Sequence, residues 1–243
     1  MAKKQITYNS KIFDISYSIT NQYQKDSVLF LHGWGSTKEI MQKSFEPYLN
    51  EFKHIYMDMP GFGKSPNNEV LNTDDYKNIV DIFINSLTLN TKKIVIVGHS
   101  FGGKVATKLS PKLLVLIGSS GIIEAKTFKT KLIITLSKIL NTLGLANISK
   151  LFRSADVENM CENMYKTFKN IVDEDFEREF EKRKTKTLIF WGKNDNATAL
   201  SSGQKIANLM INSKLIIFDG DHYFFANYSK QISKKIEENF DKL

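Results

Sequence analysis

Short apolar runs alternate with amphipathic stretches along most of the chain, the pattern of β-α-β units around a mainly parallel sheet. Residues 28–31 (Val-Leu-Phe-Leu) and 94–97 (Ile-Val-Ile-Val) carry no polar position, as central strands covered on both faces require. The β-branched side chains of the second run suit a buried pleated surface. Similar runs predict strands at 55–59, 113–117, 187–191 and 215–218. A leading pair is predicted at 5–8 and 12–20, joined at Asn9-Ser10, with irregular alternation of Ile12, Ile15, Tyr17 and Ile19. Helical periodicity predicts helices over 39–52, 73–87, 102–109, 202–210 and 229–240.

The alternation stops at about Ile122 and resumes after Lys186. Between them Phe128, Leu132, Leu136, Ile139 and Leu143 recur at spacings of three and four, a single apolar stripe. Met160, Met164, Phe168 and Ile171–Val172 make a second stripe, and Phe176 and Phe180 begin a third on a highly charged helix. This predicts a helical insertion at 122–186 that caps one end of the sheet. The α/β core is then built from 1–121 and 187–243.

Composition narrows the picture. At 243 residues, 42% apolar and 25% charged, the chain is ordinary for one globular domain with an insertion. One cysteine, Cys161, excludes an intramolecular disulfide and a Cys-rich metal site, and no metal or cofactor is expected. Mean hydropathy is −0.27, and no apolar run approaches the ~20 residues of a membrane span. The first ten residues, MAKKQITYNS, have lysines without an apolar stretch behind them, so a cytoplasmic protein is expected. The net charge of +8 comes mostly from lysines spread along the chain. With no Arg-rich tail, zinc-finger spacing or RNA-binding aromatic motif, nucleic acid is not the expected partner.

Candidate chemistry begins after the Ile-Val-Ile-Val run, where Gly98-His99-Ser100-Phe101-Gly102 matches G-x-S-x-G. At ordinary glycine and serine usage such a match arises by accident in roughly one chain in ten. Its placement is more specific: an apolar strand ends there and a helix begins. A sharp strand-to-helix turn strains the middle residue and lifts its side chain clear, and glycines on either side avoid collisions. Ser100 is therefore a candidate nucleophile, which otherwise reads as a helix N-cap.

A serine hydroxyl needs a base, and the base an orienting acid. In the fold that owns this elbow the chain order is Ser, acid, His. Of His32, His54, His99 and His222, only His222 follows Ser100. It comes just after the 215–218 strand, at the same sheet edge as the serine. Asp156, Asp173 and Asp175 fall in the helical insertion on solvated faces. Asp195, just after the 187–191 strand, sits at the carboxyl edge and is the first choice, with Asp219 as a substitute. An oxyanion needs two preorganised donors. The backbone N–H of Phe101 is one, and that of Trp34, in His32-Gly33-Trp34-Gly35, is the other.

Taken together, Val28–Gly35 (VLFLHGWG), Asp58–Ser65 (DMPGFGKS), Ile94–Gly103 (IVIVGHSFGG), Leu188–Asp195 (LIFWGKND) and Gly220–His222 resemble the α/β-hydrolase superfamily over nearly the whole chain. The resemblance implies an α/β-hydrolase fold, a mainly parallel central sheet flanked by helices, with 122–186 as a helical lid. It implies Ser100 as nucleophile, Asp195 as acid, His222 as base, and Trp34 and Phe101 as oxyanion-hole donors. His32, Trp34, Phe128, Leu132, Leu136 and Tyr223 are the expected substrate pocket. Asp58–Ser65 is a structural loop in most members and is assigned no chemistry. A serine at position 100 argues against haloalkane dehalogenases and epoxide hydrolases, which use aspartate there. Three departures stand out: Ala199 where a proline is usual, Asp221 where a glycine is usual, and a short helix at 102–109. They keep Asp219 open as the acid.

Two subfamilies compete for the substrate. The His-Gly-Trp-Gly run and the 58–65 motif resemble carboxylesterases, including pimeloyl-ACP methyl ester esterase, whose partner is an acidic acyl carrier protein. Lys126, Lys129, Lys131, Lys138, Lys150 and Arg153 lie in a stretch without an acid and would suit such a carrier. The alternative is a carbon–carbon hydrolase of 2-hydroxy-6-oxodienoates. Those enzymes typically carry His-Gly-x-Gly-Pro-Gly, an Asn before the serine and a Trp after the catalytic histidine. Here the corresponding residues are Gly35-Ser36-Thr37, His99 and Tyr223. A catalytically silent binding protein of the same fold is the third reading.

Overall fold

In every central strand, successive side chains go to opposite faces, and both faces are apolar. Val28, Phe30, Val95, Val97, Val115 and Phe190 pack into one core, while Leu29, Leu31, Ile96, Leu116, Ile189 and Trp191 pack into the other. The computed structural model describes residues 2–123 and 160–241. Its eight strands are β1 (Ala2–Tyr8), β2 (Lys11–Thr20), β3 (Asp26–Leu31), β4 (Phe52–Met57), β5 (Ile94–His99), β6 (Leu113–Ile117), β7 (Thr187–Gly192) and β8 (Ser213–Phe218). They form one sheet in the order β1-β2-β4-β3-β5-β6-β7-β8. β2 is antiparallel to both β1 and β4, and all later pairings are parallel.

The helices are α1 (Lys38–Phe45), α2 (Thr73–Ser86), α3 (Phe101–Thr107), α4 (Glu162–Val172), α5 (Glu177–Lys182), α6 (Leu200–Leu209) and α7 (Phe225–Phe240). Met41 and Phe45 of α1 and Phe225, Ile232 and Ile236 of α7 cover one face of the sheet. Side chains of α2 to α6 cover the other. The described part of 122–186 holds α4, α5 and no strand. The stripe from Phe128 to Leu143 lies outside the described residues, and with it Phe128, Leu132 and Leu136 of the expected pocket.

Several element boundaries differ from the sequence-based expectation, and tertiary contacts account for those of three elements. The helix expected over 39–52 stops at Phe45, because Leu49 takes a left-handed backbone (φ 56°) and Phe52 already pairs with Asp26 in the sheet. The strand expected at 55–59 starts at Phe52 and ends at Met57, since Asp58 turns away to meet Lys38. The helix expected from 229 begins at Phe225, whose ring is fully buried.

The 58–65 loop is structural, as expected. The Asp58 carboxylate, wholly buried, accepts from Lys38 Nζ at 2.6 Å, from the Lys38 N–H at 2.8 Å and from the Lys64 N–H at 3.1 Å. Removing one partner of a buried ion pair strands the other. Asp58→Asn is therefore expected to destabilise the fold by about 3 kcal/mol, read as a lower urea midpoint at unchanged m. A loss below about 0.5 kcal/mol would assign the loop's rigidity to other contacts.

Candidate active site

β5 ends at His99, and the chain turns sharply into α3 through Ser100. Ser100 has φ 51° and ψ −115°, in the strained half of backbone space for a residue with a side chain. The turn is held by the Ser100 N–H donating to the Ile117 carbonyl at 3.0 Å, and by the Ser100 carbonyl accepting from the N–H groups of Gly103 and Ser120. The flanking glycines are steric requirements. A Cβ at Gly98 would lie 2.4 Å from the Gly102 carbonyl oxygen, and one at Gly102 would lie 2.4 Å from that of Leu31.

β7 and β8 deliver the other two groups. Asp195 follows β7 and is 5% exposed, with its carboxylate filled by donors. Oδ1 accepts from the N–H groups of Ala197 (2.9 Å) and Thr198 (2.8 Å), and Oδ2 accepts from His222 Nδ1 at 2.7 Å. The Thr198 hydroxyl is 3.0 Å from Oδ2. Burial pushes the Asp195 pKa up, but the bonds from His222 and Thr198 outweigh it and hold the carboxyl below its ordinary value. The ion acts as an acceptor that fixes a proton on His222 Nδ1, leaving Nε2 as the free ring nitrogen. Asp219 and Asp221 are exposed, and Asp221 is taken up by the N–H of Tyr223. Of the two candidate acids, Asp195 is the one bonded to His222.

Ser100, His222, Thr198 and His99 share one cavity of about 620 Å³ with Trp34, Phe101 and Tyr223. Phe168, Ile171 and Val172 of α4 supply a further apolar wall. The ring of Trp34 packs against Phe62, Phe101 and Phe168, at centroid distances of 4.8, 5.7 and 5.3 Å. The N–H groups of Trp34 and Phe101 have no acceptor among the described residues.

His32 corrects one expectation. It does not line the cavity but is fully buried beneath it. Its Nδ1–H donates to the Gly33 carbonyl at 2.8 Å and its Nε2 accepts from the Met59 N–H at 3.0 Å. Burial lowers its pKa, so the ring is a neutral brace. Because a trans peptide is planar, a Gly33 carbonyl held by His32 turns the Trp34 N–H to the opposite side.

Sequence reasoning missed two residues here. Thr198 was recoverable in principle, since an aspartate accepting from N–H groups two and three residues on is a local Asx-type signal. His99 was not, because its partner lies 123 positions away. Its Nε2–H donates to the His222 carbonyl at 3.0 Å, and its ring lies 4.6 Å from that of His222. Burial, with the His222 ring beside it, takes the His99 pKa down to about 3, so this neighbour adds no charge to the site. Among the described residues no cluster of His, Cys, Asp or Glu could hold a metal, and no helix is long and apolar enough to cross a membrane.

A strained serine, a carboxylate-oriented imidazole and two free backbone donors around one apolar cavity are the parts of acyl transfer. In sequence and fold, the chain is similar to known hydrolases. The α/β-hydrolase fold family matches residues 26–113. The 2-hydroxy-6-oxononadienedioate/2-hydroxy-6-oxononatrienedioate hydrolase 1 of Pseudomonas putida is 26% identical over 237 residues, covering 80% of each chain. The pimeloyl-[acyl-carrier protein] methyl ester esterase of Pseudoalteromonas atlantica is 35% identical over 99 residues, spanning 38% of this chain and 36% of its own length. Among solved structures, an esterase from Exiguobacterium antarcticum superimposes with a TM-score of 0.76 at 17% identity, covering 99% of this chain and 100% of that one.

Proposed function

The chain is a hydrolase of the α/β-hydrolase superfamily, and from that premise we propose that it cleaves carboxylic esters through Ser100, His222 and Asp195. One observation carries the reading: His222, bonded to the buried Asp195 at 2.7 Å, lies in the wall of the cavity that the strained Ser100 also lines. An ester carbonyl enters the cavity with its acyl group against the apolar wall. His222 Nε2 takes the Ser100 hydroxyl proton as Oγ attacks the carbonyl carbon. The negative oxygen accepts from the N–H groups of Phe101 and Trp34. Collapse expels the alcohol, which takes the proton from His222, and leaves an acyl-serine. Water, deprotonated by His222, repeats the cycle and releases the acid. Asp195 steadies the imidazolium in both halves. In this reading 122–186 is the lid over a core of 1–121 and 187–243. Phe128, Leu132 and Leu136 of the expected pocket and the cationic run from Lys126 to Arg153 lie outside the described residues, and an acidic acyl carrier is the partner that this run's charge would suit.

A second reading, carbon–carbon hydrolysis of a 2-hydroxy-6-oxodienoate, is favoured by the coverage of the Pseudomonas putida relative. A panel of p-nitrophenyl esters of graded length, a carrier-linked methyl ester and a dienoate separates the two. The esterase reading expects ester turnover and no loss of dienoate absorbance. It also expects only the carrier-linked reaction to weaken with salt, since exposed charges are screened beyond ~8–10 Å. Dienoate turnover alone would transfer the assignment to the second reading. A fluorophosphonate that fails to label Ser100 would leave a silent binder.

A further inference from the structure

Lys104 is a buried cation that the proposed chemistry does not use. It lies on α3, four residues after Ser100, and is 2% exposed. Its ammonium donates to the Ile171 carbonyl at 2.6 Å, and it lies 3.2 Å from a Glu174 carboxylate oxygen and 3.4 Å from the Glu174 carbonyl. The Phe176 ring completes its surroundings, with the ammonium 4.7 Å from the centroid. The three N–H donors of Lys104 face three protein oxygens within 3.4 Å, and its side chain also lines the cavity. Its partners cluster where α4 ends and the chain turns toward α5. The Ile171 carbonyl already accepts from the N–H groups of Asp173 and Glu174, and the lysine adds a cation at the negative end of the helix dipole.

The exchange runs both ways. Arg183, just past α5, donates through Nη2 to the carbonyl of Thr107, the last residue of α3. Each side thus caps the other's helix end with a cation. Further bonds hold α4 to the core. The Leu71 N–H donates to Thr167 Oγ1 at 2.9 Å, Asn163 donates to the Asn67 carbonyl at 2.9 Å, and Asn170 donates to the Leu71 carbonyl at 3.2 Å. Phe168, Ile171 and Val172, which line the cavity, sit on this clamped helix. α4 is therefore a wall joined to the nucleophile helix.

Resting on the esterase reading above, we propose that Lys104 is a specificity-determining positioning residue. By tying the end of α4 to α3, its ammonium sets how far Phe168, Ile171 and Val172 stand from Ser100, and so the length of acyl chain the cavity accepts. Lys104→Met keeps the apolar stem and releases the carbonyls, so the wall retreats and longer chains gain relative to short ones.

The test is the rate at which alkyl fluorophosphonates from methyl to octyl label Ser100, with Ser100→Ala as the blank. In Lys104→Met the octyl-to-methyl rate ratio should rise about tenfold, the scale at which pockets discriminate methylenes, and Lys104→Arg should restore the wild-type ratio. A parallel fall at every chain length, tracking a lower melting temperature, would reduce Lys104 to a stability role and overturn the proposal. So would an unchanged ratio. If Lys104→Met does not fold, Lys104→Gln, which keeps an N–H but loses the charge, is judged by the same ratio. Wild-type protein that no fluorophosphonate labels would sink the esterase reading itself. Normal wild-type labelling with an unmoved ratio sinks only the role of Lys104.

Discussion

Ser100→Ala is expected to lower kcat by about a millionfold, the scale at which a triad nucleophile is lost, since the remaining members cannot act without it. The fold should survive. The alanine Cβ occupies the same φ 51° position that the serine already tolerates. The Ser100 backbone bonds to Ile117, Gly103 and Ser120 involve no side chain. The urea midpoint should therefore correspond to a change within about 0.5 kcal/mol, while turnover of every ester disappears. Residual activity above about a hundredth of wild type would mean that another residue attacks the substrate.

The second large effect is expected at Asp195, where asparagine should cost about 10⁴ in kcat. The backbone donors of Ala197 and Thr198 claim an oxygen of the side chain, as they do Oδ1 now. The amide NH₂ then faces His222 Nδ1, which must become an acceptor. The ring proton moves to Nε2, and the base can no longer take the serine proton. Asp219→Asn should be nearly silent, because Asp219 is exposed. The reverse outcome would move the acid to Asp219. The pH dependence sharpens the test. Asp195 is held below its ordinary value and His99 is held down to about 3, so neither titrates near neutrality. Neither of these two groups should contribute an inflection to the activity profile near neutral pH. Asp195 also contributes stability wherever its ion is bonded. Because its folded pKa is depressed, that contribution is present above the ordinary carboxyl value of about 4 and is lost as pH falls through the folded value. Asp195→Asn should flatten this acid-side loss in a series of urea titrations from pH 6 to pH 2.

Much of this architecture was readable from residue order, for local reasons. A strand buried on both faces must be apolar at every position, so runs such as Ile94–Val97 announce themselves. A tight strand-to-helix turn excludes a Cβ at Gly98 and Gly102, so the elbow is written as glycines around Ser100. Asp195 and His222 were legible because each follows a strand that ends at the same edge of a parallel sheet.

Tertiary structure decided what depends on partners far along the chain. The apolar spacing of Phe45, Leu49 and Phe52 fits a helix. Pairing of Phe52 with Asp26 in the sheet outweighs that periodicity and ends α1 early. His32 belongs to a motif that suggests a pocket residue, yet packing places both its ring nitrogens against backbone. Lys104 drew no attention in the sequence, and it is buried because the end of α4, 67 positions later, presents its ammonium with oxygen acceptors. Periodicity and turn sterics act over a few residues and so are recorded in local sequence. The burial of a charge and the choice of its partner arise only when distant segments exclude water together, and no local pattern encodes them.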